Sequence, residues 1–348
     1  VLGPGLKLAA VVFVLLVQGS VQLLAVCYLI GGLLGVAVYV LMILRVLRER
    51  GLLAEFDRRS IRLPAREVFS FSLPLLTADV AVIVKTTIAV VLLDSMRGTA
   101  EVADFRAVVP IAGLNLVVLQ SFKLLYTPVA TRLYARNAAA KIDDLYWQSA
   151  HWIAIVTFPV FAACVFLAEP VIVLLYGPRY LDAAPVLAVL AAGSYFNAAT
   201  GLNTYTLQVY ARVRFVAITN ALATLSALLL NFWLIPRHGA LGAACATAAA
   251  LMIQNTINHV GLWRRTDVVF SGWRRWTVYS TILIALAVLF AVCSIFSPPG
   301  WIVAILIAMA LLILLRVNRS SLQILNTFPE LRRVPLMSFL FAAGEKRR

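Results

Sequence analysis

Apolar residues in this chain collect in runs of about twenty, the length that carries an α-helix across a hydrocarbon core of ~30 Å at ~1.5 Å per residue. Ten such spans are predicted, near 6–24, 27–47, 69–93, 106–127, 149–168, 184–209, 215–235, 239–262, 275–296 and 300–316. The first two are separated only by Gln18-Gly19-Ser20 and Gln22. Elsewhere Gly and Pro mark the breaks: Gly177-Pro178, Pro236 with Gly239, and Ser297-Pro298-Pro299-Gly300 read as tight turns.

Composition agrees. Of 348 residues 62% are hydrophobic and 13% charged, with mean hydropathy +0.94. A soluble domain, about half apolar, has no way to bury that much surface. The net charge of +15 raises the question of nucleic acid. The positions of the charges answer it: they sit in short loops between apolar runs, where Lys and Arg set topology. No nucleic-acid partner is expected.

One set of loops holds nearly all of them: Arg45 to Arg66, Lys123, Arg132, Arg136, Lys141, Arg212, Arg214, Arg264, Arg265, Arg274, Arg275 and the basic tail, with Lys7 at the other end. The opposite loops hold Arg97, Arg106, Arg179 and Arg237. Positive residues stay in the cytoplasm, and an even number of spans then places both ends there. The chain begins at Val1, with no cleavable signal pattern, which reads as an incomplete N-terminus. The cysteines, Cys27, Cys164, Cys245 and Cys293, fall one to a span without a C-x-x-C neighbour and read as small apolar filler, not as metal ligands or disulfides.

One internal echo stands out. Gly32-Leu33-Leu34-Gly35-Val36-Ala37 opens the second predicted span, and Gly239-Ala240-Leu241-Gly242-Ala243-Ala244 opens the eighth. Small residues at this spacing let helix backbones approach closely. An offset of six spans implies parallel repeats, the two-lobe plan of many transporters, with four helices of the first repeat missing upstream.

From Ser72 to about Asp267 the chain resembles the lipid-linked oligosaccharide flippases of bacterial polysaccharide export, in the multidrug/oligosaccharidyl-lipid/polysaccharide exporter superfamily. Four stretches carry the resemblance: Ser72-Leu73-Pro74-Leu75-Leu76; Pro128, read as the end of the fourth span; Leu174-Leu175-Tyr176-Gly177-Pro178-Arg179-Tyr180 with Ala183-Ala184-Pro185; and Leu234-Ile235-Pro236 followed by Gly239 to Ala244. The resemblance implies an all-α polytopic membrane protein whose ten helices correspond to the last ten of a fourteen-helix, two-lobe transporter. On this reading 1–48 holds the last two helices of the N-terminal lobe, 49–68 a cytoplasmic linker, 69–265 a six-helix C-terminal lobe, 266–316 two extra helices and 317–348 a cytoplasmic tail.

It further implies a protein of the bacterial inner membrane that moves polyprenyl-pyrophosphate-linked oligosaccharide between leaflets, for O-antigen or other polysaccharide synthesis, by rocking two lobes about a central cavity. Its partners would be the lipid-linked oligosaccharide, membrane lipids, and the polysaccharide polymerase and chain-length machinery; no cofactor is implied.

Candidate site residues are the polar groups inside spans, because a charge in hydrocarbon is costly enough to need a reason. Lys85 and Asp79 lie deepest. They are six residues apart, roughly 240° around a helix and ~9 Å along it, so they do not share a face. Lys85 reads either as a cavity cation for substrate phosphates or as a lysine snorkelling to the headgroups. Asp79 reads either as an ion-coupling carboxylate or as a structural hydrogen-bonding group. Arg106 closes the cavity outwardly, binds phosphate, or anchors at the interface. Lys123 and Arg132 meet pyrophosphate at the inner mouth or simply set topology.

In the sixth span Asn197, Thr200, Asn203 and Thr204 form a polar stripe, either a sugar-binding wall or glue between helices. Gln254, Asn255, Asn258 and His259 pose the same choice in the eighth. His151, His238 and His259 lie near span boundaries, where solvated or headgroup-facing roles are expected. After Leu315 the tail mixes Ile324, Leu325, Phe328, Leu331, Leu336 and Phe339 with arginines, as a surface amphipathic segment would.

Three alternatives remain: a drug or metabolite cation antiporter of the same superfamily, a lipid II flippase, and a membrane glycosyltransferase or ligase. An antiporter needs buried acids, and an enzyme needs gathered acids, bases or metal ligands. The outer loops are short and hold no paired carboxylates, so no catalytic residues are expected. No G-x-x-x-x-G-K-[ST] occurs, so the chain itself is not expected to hydrolyse nucleotide.

Overall fold

In lipid every backbone polar group needs an internal partner, which leaves helices as the solution for a chain of this pattern. The structure, a computed structural model, describes residues 2–17, 19–49, 69, 84, 87–270 and 272–322, and among them no strand occurs. The chain divides into two compact units, Val1–Glu67 and Val68–Arg348.

In the first unit α1 (Leu2–Leu16) packs on α2 (Val21–Glu49). The break comes earlier than hydropathy suggested, because Ser20 caps α2: its Oγ accepts from Leu23 N at 3.3 Å and its carbonyl from Leu24 N at 3.1 Å. The Gly32–Ala37 echo consequently falls inside α2, whereas Gly239–Ala244 stands where a helical arm begins.

The second unit contains α3 (87–97), α4 (Thr99–Ala112), α5 (Leu114–Ala135), α6 (Ala139–Phe166), α7 (Ala168–Tyr176), a 3-10 turn (Pro178–Ala183), α8 (Ala184–Thr200), α9 (Leu202–Val209), α10 (Val213–Arg265), α11 (Trp273–Phe296), α12 (Gly300–Val317) and α13 (Arg319–Leu322). Seven stretches among the described residues are long and apolar enough to cross a membrane, counting α4–α5, the 3-10 turn with α8–α9, and α10 as one each. The expected third span, 69–93, lies mostly outside the described residues.

Pro128 does not end its span. It sits inside α5, which runs on to Ala135 with Tyr126 and Ala130 buried on either side of it. Proline removes one backbone hydrogen bond, and the packing of these neighbours carries the helix past the gap.

α10 is a hairpin, not one rod. Gly239 breaks it with φ 54° and ψ −130°, and the two arms run back along each other. Phe215 meets Gly261 and Arg265, while Asn220 Oδ1 accepts from Gln254 Nε2 at 2.8 Å. Thus the spans expected at 215–235 and 239–262 are its arms.

Two charged residues from the α3–α4 corner hold the turn. Arg97 donates to the carbonyls of Ile235 and Pro236 at 3.3 and 2.9 Å, where the first arm ends. Glu101 Oε2 accepts from Ala240 N at 2.6 Å, where the second arm begins. A cation thus sits at a helix C-terminus and an anion at an N-terminus, each opposite the partial charge of the helix end it touches.

α8 lies between α6 and the second arm of α10, and small residues set the spacing. A Cβ on Gly193 would lie 2.6 Å from Ala248 Cα, so the α8 and α10 backbones meet there. Outward-facing positions are apolar, as at Leu124, Leu174 and Ile295, while Asn, Thr and Ser are buried between helices.

Replacing Gly239 by Ala puts a side chain on a conformation that L-residues avoid and drives its Cβ into the Glu101 carboxylate. Gly239→Ala is expected to lose about 2 kcal/mol or more in denaturant unfolding in mixed micelles. Gly32→Ala, with open space around the new Cβ, is the control and is expected to unfold as the wild type does.

Candidate functional site

The polar stripe of the sixth predicted span meets the polar cluster of the eighth. Asn197 at the end of α8 and Asn203-Thr204 at the start of α9 face the second arm of α10 across the break at Gly201. Asn255 Nδ2 donates to Asn197 Oδ1 at 2.8 Å. Asn203, wholly buried, directs Nδ2 at the Asn255 carbonyl (3.1 Å), at Asn255 Oδ1 (3.3 Å) and at His259 Nδ1 (3.1 Å).

Thr204 Oγ1 donates to Asn203 Oδ1 at 3.1 Å and accepts from Asn258 Nδ2 at 2.9 Å. Thr200 donates to its own helix, at the Phe196 carbonyl, 2.7 Å. Asn258 Oδ1 is buried and has no donor among the described residues. The stripe is thus engaged between helices, with one acceptor left over at its centre. For Nδ1 of His259 to accept, its proton sits on Nε2.

The candidate cations are spread out. Arg106 is exposed on α4. Lys123 is half-buried on α5, with its ammonium 4.6 Å from the centre of the Tyr205 ring of α9. Arg132 is exposed and donates to the Pro128 carbonyl at 3.3 Å. Seventeen residues, about 25 Å of helix, separate Arg106 from Lys123, and nine residues place Arg132 about half a turn out of phase with Lys123. These three do not form one cluster. Lys85, Asp79, the Ser72–Leu76 motif and the amphipathic tail beyond Leu322 lie outside the described residues.

The sequence reading missed a fastening at the arginine-rich end of the lobe. Asp143, near the start of α6, accepts from Val269 N at 2.9 Å through Oδ1 and pairs with Arg275 through Oδ2. Arg275 also donates to the Val269 carbonyl, which in addition accepts from Trp147 Nε1 at 3.0 Å. His151 Nε2 lies 3.0 Å from the Arg275 carbonyl, and its ring packs between Trp147 and Tyr279.

His151 is therefore buried, 3% exposed, rather than solvated: neighbouring rings shelter it and a backbone carbonyl satisfies it. His259 is likewise half-buried, against Phe270. Asp143 is the one signal available in the sequence, an acid beside Asp144 amid basic loops. Past α12, α13 turns back onto α6, where the Leu322 carbonyl accepts from Trp152 Nε1 at 3.0 Å.

These observations define an all-helical membrane protein whose second unit is a lobe of packed hairpins. The family model described as "Polysaccharide biosynthesis protein" matches residues 6–185, just over half of the chain, and the chain belongs to that family. Among solved structures, the lipid II flippase MurJ in an inward closed conformation superposes with TM-score 0.63 at 14% identity, over 92% of this chain and 66% of that one. At such identity the likeness is one of fold, and the chain spans slightly less than two thirds of that protein's length.

A multidrug/oligosaccharidyl-lipid/polysaccharide superfamily transporter from Pyrococcus furiosus gives TM-score 0.47 at 13% identity, over 79% of this chain and 73% of that one. No curated protein sequence matches the chain. The all-α membrane fold and the flippase-family resemblance read from the sequence agree with the MurJ fold and the family match.

Two outcomes follow from the geometry. Asn203→Ala breaks several interhelical contacts at once, each worth about 0.6 kcal/mol in membrane proteins, so a loss of about 1–2 kcal/mol is expected in micelle unfolding. A double-mutant cycle of Asp143→Asn with Arg275→Gln is expected to show a coupling of about 1–3 kcal/mol. In the same variants, hydrogen exchange is expected to quicken at residues 268–276 and stay unchanged in α8.

Proposed function

We propose that the chain is part of a flippase that carries polyprenyl-pyrophosphate-linked oligosaccharide from the cytoplasmic to the outer leaflet of a bacterial inner membrane, with both ends of this chain in the cytoplasm. Membership of the polysaccharide biosynthesis family carries this reading, and the fold shared with a lipid flippase supports it. The physical task fits the fold. A pyrophosphate and its sugars cannot cross hydrocarbon unaided at acceptable cost, and a cavity opening to one side at a time avoids that crossing while the polyprenyl tail stays in lipid.

In this proposal residues 1–48 close the N-terminal lobe, 49–68 link it to the C-terminal lobe at 69–265, and 266–316 add two helices. Lys85 receives the pyrophosphate, with Asp79, Arg106, Lys123 and Arg132 as further charged positions along the path. The transport step makes and breaks no covalent bond in the substrate. Polymerase and chain-length proteins would take up the delivered oligosaccharide. A second reading, lipid II as the cargo, is favoured by the MurJ fold: the pyrophosphate handle is the same and the sugar differs.

The test deletes the full-length parent gene in its host and measures which lipid-linked sugar accumulates, and on which leaflet. Inner-leaflet accumulation of a polyprenyl-linked oligosaccharide supports the proposal, and accumulation of lipid II selects the second reading. Normal lipid-linked sugars with altered drug tolerance overturn both. Lys85→Ala is expected to lower complementation roughly ten- to hundredfold, the worth of one charge-assisted hydrogen bond, with Lys85→Arg retaining most of it.

A further inference from the structure

The two ends of the α10 hairpin lie side by side, because Phe215 contacts both Gly261 and Arg265. Arg212 and Arg214 at one end therefore join Arg264 and Arg265 at the other. All four are exposed, and Asp267 follows two residues after Arg265. Arg265 lays its guanidinium over the Phe215 ring, 4.5 Å from its centre, and Arg275 is already committed to Asp143. Arg264 makes no hydrogen bond or ion pair among the described residues.

On the same stretch of α10 is an open groove of about 300 Å³ lined by His259, Val260, Trp263 and Phe270. Val260 lies one turn before Arg264 on the same helix face, so Arg264 borders this open, largely apolar groove. Trp263, which lines the groove, is 60% exposed, as rings that settle at a membrane–water boundary are.

We propose that this groove is a binding site for an anionic glycerophospholipid of the surrounding bilayer. Its phosphate would pair with Arg264 and the neighbouring arginines, and its glycerol and upper acyl carbons would fill the groove. Charge complementarity selects the occupant: an apolar groove alone would take any acyl chain, whereas an arginine at its border, with three more beside it, favours a headgroup of net negative charge. Aromatic walls hold the glycerol region as interfacial rings do. The proposal does not depend on what the protein transports.

The test places the full chain in nanodiscs and measures quenching of its tryptophan fluorescence by phosphatidylglycerol or phosphatidylcholine carrying the same brominated acyl chains. The expected result is tighter association of phosphatidylglycerol. That preference should fall about fivefold in Arg264→Gln, the loss of about one basic residue's attraction at an anionic surface. Val260→Phe fills the groove while keeping every charge, and should also weaken the preference. Equal association of the two lipids with the wild-type chain overturns the proposal, and this reading needs no variant to fold. A preference unchanged in both variants overturns it too. Displacement of phosphatidylglycerol by a trace of polyprenyl phosphate overturns it by marking the groove as the cargo's.

Discussion

The second unit depends on how closely α8 approaches the returning arm of α10. Where Gly193 meets Ala248 there is no room for a side chain, and alanines continue the contact on both helices. That spacing puts the amides of Asn197 and Asn203 within reach of Asn255 and His259. Small residues supply proximity and asparagines supply direction. In hydrocarbon, where apolar contact alone does not distinguish helix from lipid, this pairing specifies which helices belong together.

Around this seam two fastenings act at the closed and open ends of the α10 hairpin. At the turn, Arg97 and Glu101 answer the exposed carbonyls and amides of two helix ends. At the other end, Asp143, Trp147 and His151 hold the connection into α11. Each exists because backbone that leaves the helix still needs partners, and α3–α4 and α6 provide them from side chains.

Within the described residues hydropathy located the helical spans after residue 98 and the turns at Gly177-Pro178, Gly239 and Ser297–Gly300. It misplaced helix ends, because an apolar run stops at the membrane boundary while a helix need not. α2 continues through Arg45 and Arg48, with Arg45 paired to Glu49 at 2.8 Å, and α6 begins ten residues before its expected span. The polar stripe was legible as a pattern, but whether it faced a cavity or a neighbouring helix depended on the partner of Asn203, fifty-two residues away at Asn255. Asp143 and Glu101 escaped notice because an acid among basic loops shows nothing of its partner until the fold brings Val269 or Ala240 to it. Neither acid lies in a motif.

Chain order gives the clamp at Gly239 a role in assembly. Arg97 and Glu101 precede the groups they bind at Pro236 and Ala240 by 139 residues each, so they leave the ribosome long before the hairpin does. A helical hairpin made after α3 and α4 finds its docking point already in place. The turn is captured by charges waiting for it, and the lobe closes in the direction in which it is made.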